Sequence, residues 1–266
     1  MAEGELSGIP KRKAENNTQL WDYETHFREY ALLLGRKGSE ALESINSYPE
    51  RIALNNIWHG ALDRMRNETK GDGNEHYALI TYDENAREFT FPEISAKGEP
   101  YEVPKEVIIE EVRKAKEDRG ATSIVGAIHT HPSGVPFSPE DLLPMLDKSQ
   151  MYSMVAVGIA TRRENLFAFQ TKETESINHF NIMPEKFYEF FKDYWLKKAG
   201  YKSTKNDKGV YPISLFPNIW RVSLGIAERH RLALYKGKPD EDLIRIQTNK
   251  ILGGSWSNLL QEVLQR

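Results

Sequence analysis

The chain has 266 residues, with 36 basic and 39 acidic side chains and a formal net charge of −3. That length supplies a full hydrophobic core, as one domain with an appendage or as two small ones, and so balanced a charge gives no global field for nucleic acid. Cysteine is absent, which excludes disulfides, thiolate zinc sites, iron–sulfur clusters and a cysteine nucleophile.

Any transition metal must therefore be held by histidines and carboxylates. No apolar run approaches the ~20 residues of a membrane span. The N-terminal MAEGELSGIPKRK lacks the apolar stretch of a signal peptide. A soluble, cytoplasmic protein with no membrane partner is the expectation.

Residues 1–18 are polar and read as a loosely held arm. From about Leu20 to Lys70 the pattern is helical, with Pro49 placed to start a helix and Ile52, Ile57 and Leu62 recurring. Gly71-Asp72-Gly73-Asn74 breaks it. His76 to Tyr82 is aromatic and branched, a buried strand, with a turn at Asp83 to Ala86 and a hairpin partner from Arg87 to Phe91.

Pro104 opens a helix that runs to about Arg119, with Gly120 as its stop. Ser123 to Ile128, Ser153 to Ala160 and Leu166 to Phe169 are further strands. The order predicts an α/β architecture, a mixed β-sheet flanked by helices over residues 49–175. An N-terminal arm and helical segment (1–48) precedes it, and a mainly helical C-terminal region (176–266) follows.

The chemistry concentrates at Ile128-His129-Thr130-His131-Pro132-Ser133-Gly134 and Ser138-Pro139-Glu140-Asp141. Side chains at i and i+2 of a strand share a face about 6.5–7 Å apart, so His129 and His131 can converge on one ion. Pro132 ends the strand, and an acid from the following loop would make a third ligand. Three protein ligands leave a tetrahedral position open for water, as in catalytic zinc sites. Ser138-Pro139-Glu140-Asp141 is also a helix start, with serine as cap and acids in the first turn. The two roles are compatible, because a helix N-terminus can aim an acid at a metal.

His129-Thr130-His131-Pro132 followed by Ser138-x-x-Asp141 resembles the signature of the JAMM (JAB/MPN+) metalloprotease family, and His-x-His-Pro-Ser-Gly is closest to its prokaryotic RadC-like branch. The resemblance reaches back to Glu75, directly before a strand, and covers about residues 50–175. It implies that His129, His131 and Asp141 bind one Zn2+ with water as fourth ligand. Glu75 would be the general base acting on that water, and Ser138 would donate to the oxyanion. Glu75 lies 54 residues before His129 (129 − 75), so only the fold can join them.

The spacing departs from the family in one place: six residues, Pro132 to Phe137, separate His131 from Ser138, where the family usually has seven. That leaves Asp141 and Glu140 as rival ligands, of which Asp141 keeps the Ser-x-x-Asp phase. Glu84 and Glu88 are alternatives to Glu75 but fall in the hairpin turn and its second strand.

The function implied is zinc-dependent hydrolysis of amide or isopeptide bonds on a protein or peptide substrate, such as a ubiquitin-like tail. Two rivals stand beside it. A non-catalytic MPN-type scaffold is disfavoured by the complete ligand set, and a RadC-like nucleic-acid-associated role by the near-neutral charge. His59, His76 and His230 read as core or surface histidines. Gly253-Gly254 reads as a turn, Lys198 to Lys208 as a solvated loop, and the aromatic face of Phe187, Phe191, Tyr194 and Trp195 as a packing seam.

Overall fold

The computed structural model describes residues 21–22, 48–83, 88–92, 95–100, 102–118, 122–134, 137–146, 153–159, 163–170, 174 and 216–248. The aromatic face from Phe187 to Trp195, the lysine loop and Gly253-Gly254 lie outside them. No helix among the described residues is long and apolar enough to cross a membrane.

Ten described strands form one mixed sheet. They are β1 (Trp21–Asp22), β2 (Arg51–Ala53), β3 (His76–Asp83), β4 (Glu88–Thr90), β5 (Ala96–Lys97), β6 (Thr122–His131), β7 (Ser153–Gly158), β8 (Asn165–Phe169), β9 (Ala233–Gly237) and β10 (Leu243–Arg245). Their order is β1-β2-β10-β9-β8-β7-β6-β3-β4, with β5 beside the start of β3. β1–β2 and β6–β7 are parallel pairs and the other pairs are antiparallel. Four helices among the described residues accompany the sheet: α1 (Asn56–Asp72), α2 (Lys105–Asp118), α3 (Pro139–Leu146) and α4 (Phe216–Arg229).

Both faces of the central strands are covered, which is why β3 and β6 read as continuous apolar runs rather than alternating ones. Tyr77, Leu79, Ala127, Ala156 and Leu234 pack with Ala115 of α2, Leu142 of α3 and Leu224 of α4. Their neighbours Ala78, Ile80, Ile128, Val155 and Phe167 face the other way, onto Trp58, Leu62 and Met65 of α1. Helix α1 is bounded as the sequence suggests at its end: the Gly73 N–H bonds Thr69 O in the left-handed region (φ 76°). Its start is set by Asn55, whose side chain accepts from the Ile57 and Trp58 N–H groups.

Two expectations are corrected. Pro49 does not open a helix: Arg51–Ala53 is a strand, and Ile52 pairs with Leu243. A partner nearly 200 residues away overrides the local pattern. The C-terminal region, expected to be mainly helical, also carries strands within residues 216–248: β9 continues the sheet from β8 and β10 returns to β2. Ala233–Gly237 and Leu243–Arg245 are thus part of the same sheet. Helix α4 stops through Leu232 N–H to Ala227 O, with Arg231 in the left-handed region (φ 57°). An arginine in the usual glycine position hides that boundary from a sequence reading.

Candidate metal centre

Strand β6 runs through both histidines, so alternation places His129 and His131 on the face of α2, α3 and α4, and Thr130 on the face of α1. Tyr77 of β3 pairs with His129, and continuing that register sets Glu75 opposite His131. On the other side, Ala156 and Gly158 of β7 stand beside His129 and His131, small residues that leave room for two rings. The strand then turns sharply, with Gly134 N–H bonding His131 O and Gly134 at φ 70°. Pro132 suits the second position of such a turn and glycine the fourth.

The first turn of α3 carries Asp141. Its backbone N–H bonds Ser138 Oγ at 3.3 Å, and its carboxylate accepts the Ser138 N–H at 2.6 Å. This reciprocal pair is a capping box with aspartate in place of glutamate. The same carboxylate reaches both rings, Oδ1 at 3.1 Å from His129 Nε2 and Oδ2 at 3.5 Å from His131 Nε2. The two Nε2 atoms are 2.8 Å apart. Asp141 is therefore the acid that joins the histidines, in the Ser-x-x-Asp phase.

Two imidazole nitrogens and the two oxygens of one carboxylate converge here, an arrangement that a shared ring proton or a metal ion can bridge. A tetrahedral ion with bonds of roughly 2.0–2.1 Å spaces its donors roughly 3.3–3.4 Å apart; here the two ring nitrogens are 2.8 Å apart, and the nearest carboxylate oxygen lies 3.1 Å from His129 and 3.5 Å from His131, Oδ1 in the first case and Oδ2 in the second. Among the described residues, His129, His131 and Asp141 are the group that can hold a metal ion. Two imidazoles and one carboxylate suit a first-row transition ion better than calcium or magnesium.

Glu75 sits beside this group, 9 % exposed. Burial pushes its carboxyl up to about 7; His131 opposes that, and Asp141 and Glu102 add to it. Burial also acts to raise Asp141, but the His129 and His131 rings and the Ser138 N–H outweigh it and bring that carboxyl to about 2. Two neighbouring acids are thus driven apart, one toward a proton acceptor near neutrality and one toward a permanent anion. Glu88 pairs with Asp83 at the far end of β3, away from the histidines, and Glu84 lies outside the described residues. Ser138 is half-buried; its Oγ accepts from the helix, which leaves its O–H able to donate.

Several groups that fix Glu75 carry no motif. Its N–H bonds Glu99 O and its carbonyl accepts the Gly98 N–H, both at 2.8 Å. The next N–H, that of His76, donates to Thr130 Oγ1 at 2.8 Å, and Thr130 shares a 2.6 Å hydrogen bond with Thr69 of α1. The His76 ring lies buried between Ser95 Oγ (2.6 Å) and Asp72 Oδ1 (3.2 Å), a structural histidine as expected. His59 lies on α1 and His230 is buried just after α4, both outside the metal group. A cavity of about 620 Å3 between β5 and α2, floored by Leu79 and Ala115 and edged by Lys97 and Glu106, also lies apart from that group.

Gly98 is the tightest of these supports. A Cβ there would lie 2.7 Å from Glu102 O and 3.2 Å from Glu75 O. Gly98→Ala must force the two backbones apart, so it is expected to cost about 1–3 kcal/mol and to loosen Glu75. Urea unfolding checks this, and an unchanged midpoint would show that the close approach is relieved at no cost.

Compared with models of known protein families and with curated proteins, the chain matches none.

Proposed function

We propose that the protein is a zinc-dependent hydrolase of amide or isopeptide bonds, of the JAMM type. The observation that carries this reading is the convergence of His129, His131 and Asp141 beside a buried Glu75 whose carboxyl is raised to about 7. The mixed sheet flanked by helices, with both histidines on one face of β6, accords with a JAB/MPN-like domain. Zinc held by those three residues would supply Lewis acidity, polarising a carbonyl and bringing water toward neutral acidity.

The remaining steps belong to the side chains. Glu75 accepts a proton from the attacking water and passes it to the departing amine nitrogen as the carbon–nitrogen bond breaks. The Ser138 hydroxyl donates to the carbonyl oxygen as negative charge builds there. Tyr77 and Phe137, 3 % and 0 % exposed, wall the histidine side of the site and limit its access to water. The partner implied is a protein or peptide, a ubiquitin-like tail being the substrate class favoured by the resemblance.

The test offers zinc-loaded protein a set of linear peptide, ubiquitin-like isopeptide and tail-amide substrates, before and after chelation and dialysis. Cleavage of at least one class, lost on chelation and restored by zinc, is the expected result. Cleavage indifferent to chelation, or no cleavage of any class by zinc-loaded protein, contradicts the proposal and favours the scaffold reading.

A further inference from the structure

Ser223 of helix α4 lies 86 residues beyond Phe137, yet it hydrogen-bonds the backbone just before α3, the helix whose first turn carries Asp141. Ser223 Oγ donates to Phe137 O at 2.7 Å. Both residues are fully buried. The carbonyl it grips belongs to the same peptide unit as the Ser138 N–H. That N–H is the group which donates to Asp141 Oδ2 at 2.6 Å. A peptide unit is planar and nearly rigid, so fixing its oxygen fixes the direction of its N–H. Polarisation also runs along such a chain, and each bond strengthens the next.

We infer that Ser223 is a positioning residue for the metal ligand Asp141, acting through the Phe137–Ser138 peptide. This rests on the proposed metal centre and adds to it a support from outside the segment that resembles the JAMM family. The ring of Phe137 strengthens the link, since its centroid lies 6.5 Å from that of His129. One buried residue thus touches a first ligand with its ring and directs a second with its backbone. Helix α4 holds it there, with Leu224 and Ala227 packed into the same core as Phe137 and Leu142. Groups that orient metal ligands in this way typically account for 10–100-fold in metal affinity.

The test measures zinc affinity on the full chain by competition with a chelating dye. Ser223→Ala is expected to bind zinc about 10–100-fold more weakly, and Ser223→Thr, which keeps the hydroxyl, to recover most of that loss. Ile226→Val, which removes one buried methylene from the same helix, is expected to bind like the wild type and separates positioning from general loosening. Should Ser223→Ala not fold, Ser223→Cys supplies a weaker donor of similar shape and is expected to fall between wild type and the alanine prediction.

Wild-type affinity in Ser223→Ala or in Ser223→Cys overturns the inference, as does an equal loss in Ile226→Val. A wild-type chain that binds no zinc overturns the inference together with the metal centre. Tight zinc on the wild type with an indifferent Ser223 overturns the inference alone.

Discussion

Glu75→Gln is expected to lower hydrolysis by about 10²–10⁴-fold, the usual contribution of a positioned base, while zinc content stays at the wild-type level. Glutamine keeps the size of the side chain and loses only its ability to take a proton. The backbone bonds to Gly98 and Glu99 do not depend on the carboxylate, so the fold is retained. The same variant reports on stability. In the metal-free protein the Glu75 carboxyl sits at about 7 rather than 4.5, so between those values the folded chain holds a proton that the unfolded chain has released.

Wild-type stability therefore falls as pH rises through that window, by up to roughly 3 kcal/mol. Glu75→Gln escapes the fall. It should be more stable than the wild type at pH 8 and indistinguishable from it near pH 4.5, as urea midpoints at the two pH values would show. Full activity in the variant would remove Glu75 from the role of base.

His131→Ala carries the other large effect. It removes one of three donors, leaving His129 and Asp141 to hold an ion that needs a third point to be fixed. Zinc binding is expected to collapse, and chelator-sensitive hydrolysis with it. The strand should survive, because the bonds that close the turn come from the His131 backbone carbonyl, to Gly134 N–H and Ile159 N–H, and not from the ring. The loss also relieves the 2.8 Å approach of two imidazole nitrogens. A folded, metal-free protein is the expected product, verified by circular dichroism alongside metal content.

The site was legible in the sequence where its chemistry is local. His129 and His131 share a face because they are two apart on a strand, and Asp141 follows Ser138 at capping-box spacing; both facts are matters of short range. Glu75 could be singled out only through the resemblance, and the register Tyr77 to His129 now supplies its physical basis. The central strands were equally plain, since a strand buried on both faces writes itself as an unbroken run of apolar residues.

What stayed hidden depends on distance. Ile52 looked helical because nothing near it announces that Leu243 is its partner. Ala233 to Gly237 is a five-residue strand carrying an exposed lysine, preceded by Arg231 in a conformation usually given to glycine. Neither feature punctuates a sequence. Ser223 and Gly98 act through single contacts to distant backbone oxygens, and no spacing rule reaches them.

The claim on which the rest depends is that His129, His131 and Asp141 hold a metal. The most direct measurement is metal per chain by elemental analysis, on wild type and His131→Ala purified without chelators, offered zinc and freed of excess. About one zinc per wild-type chain, absent from the variant, is the predicted result. No metal on the wild type, or equal metal on both proteins, would contradict it.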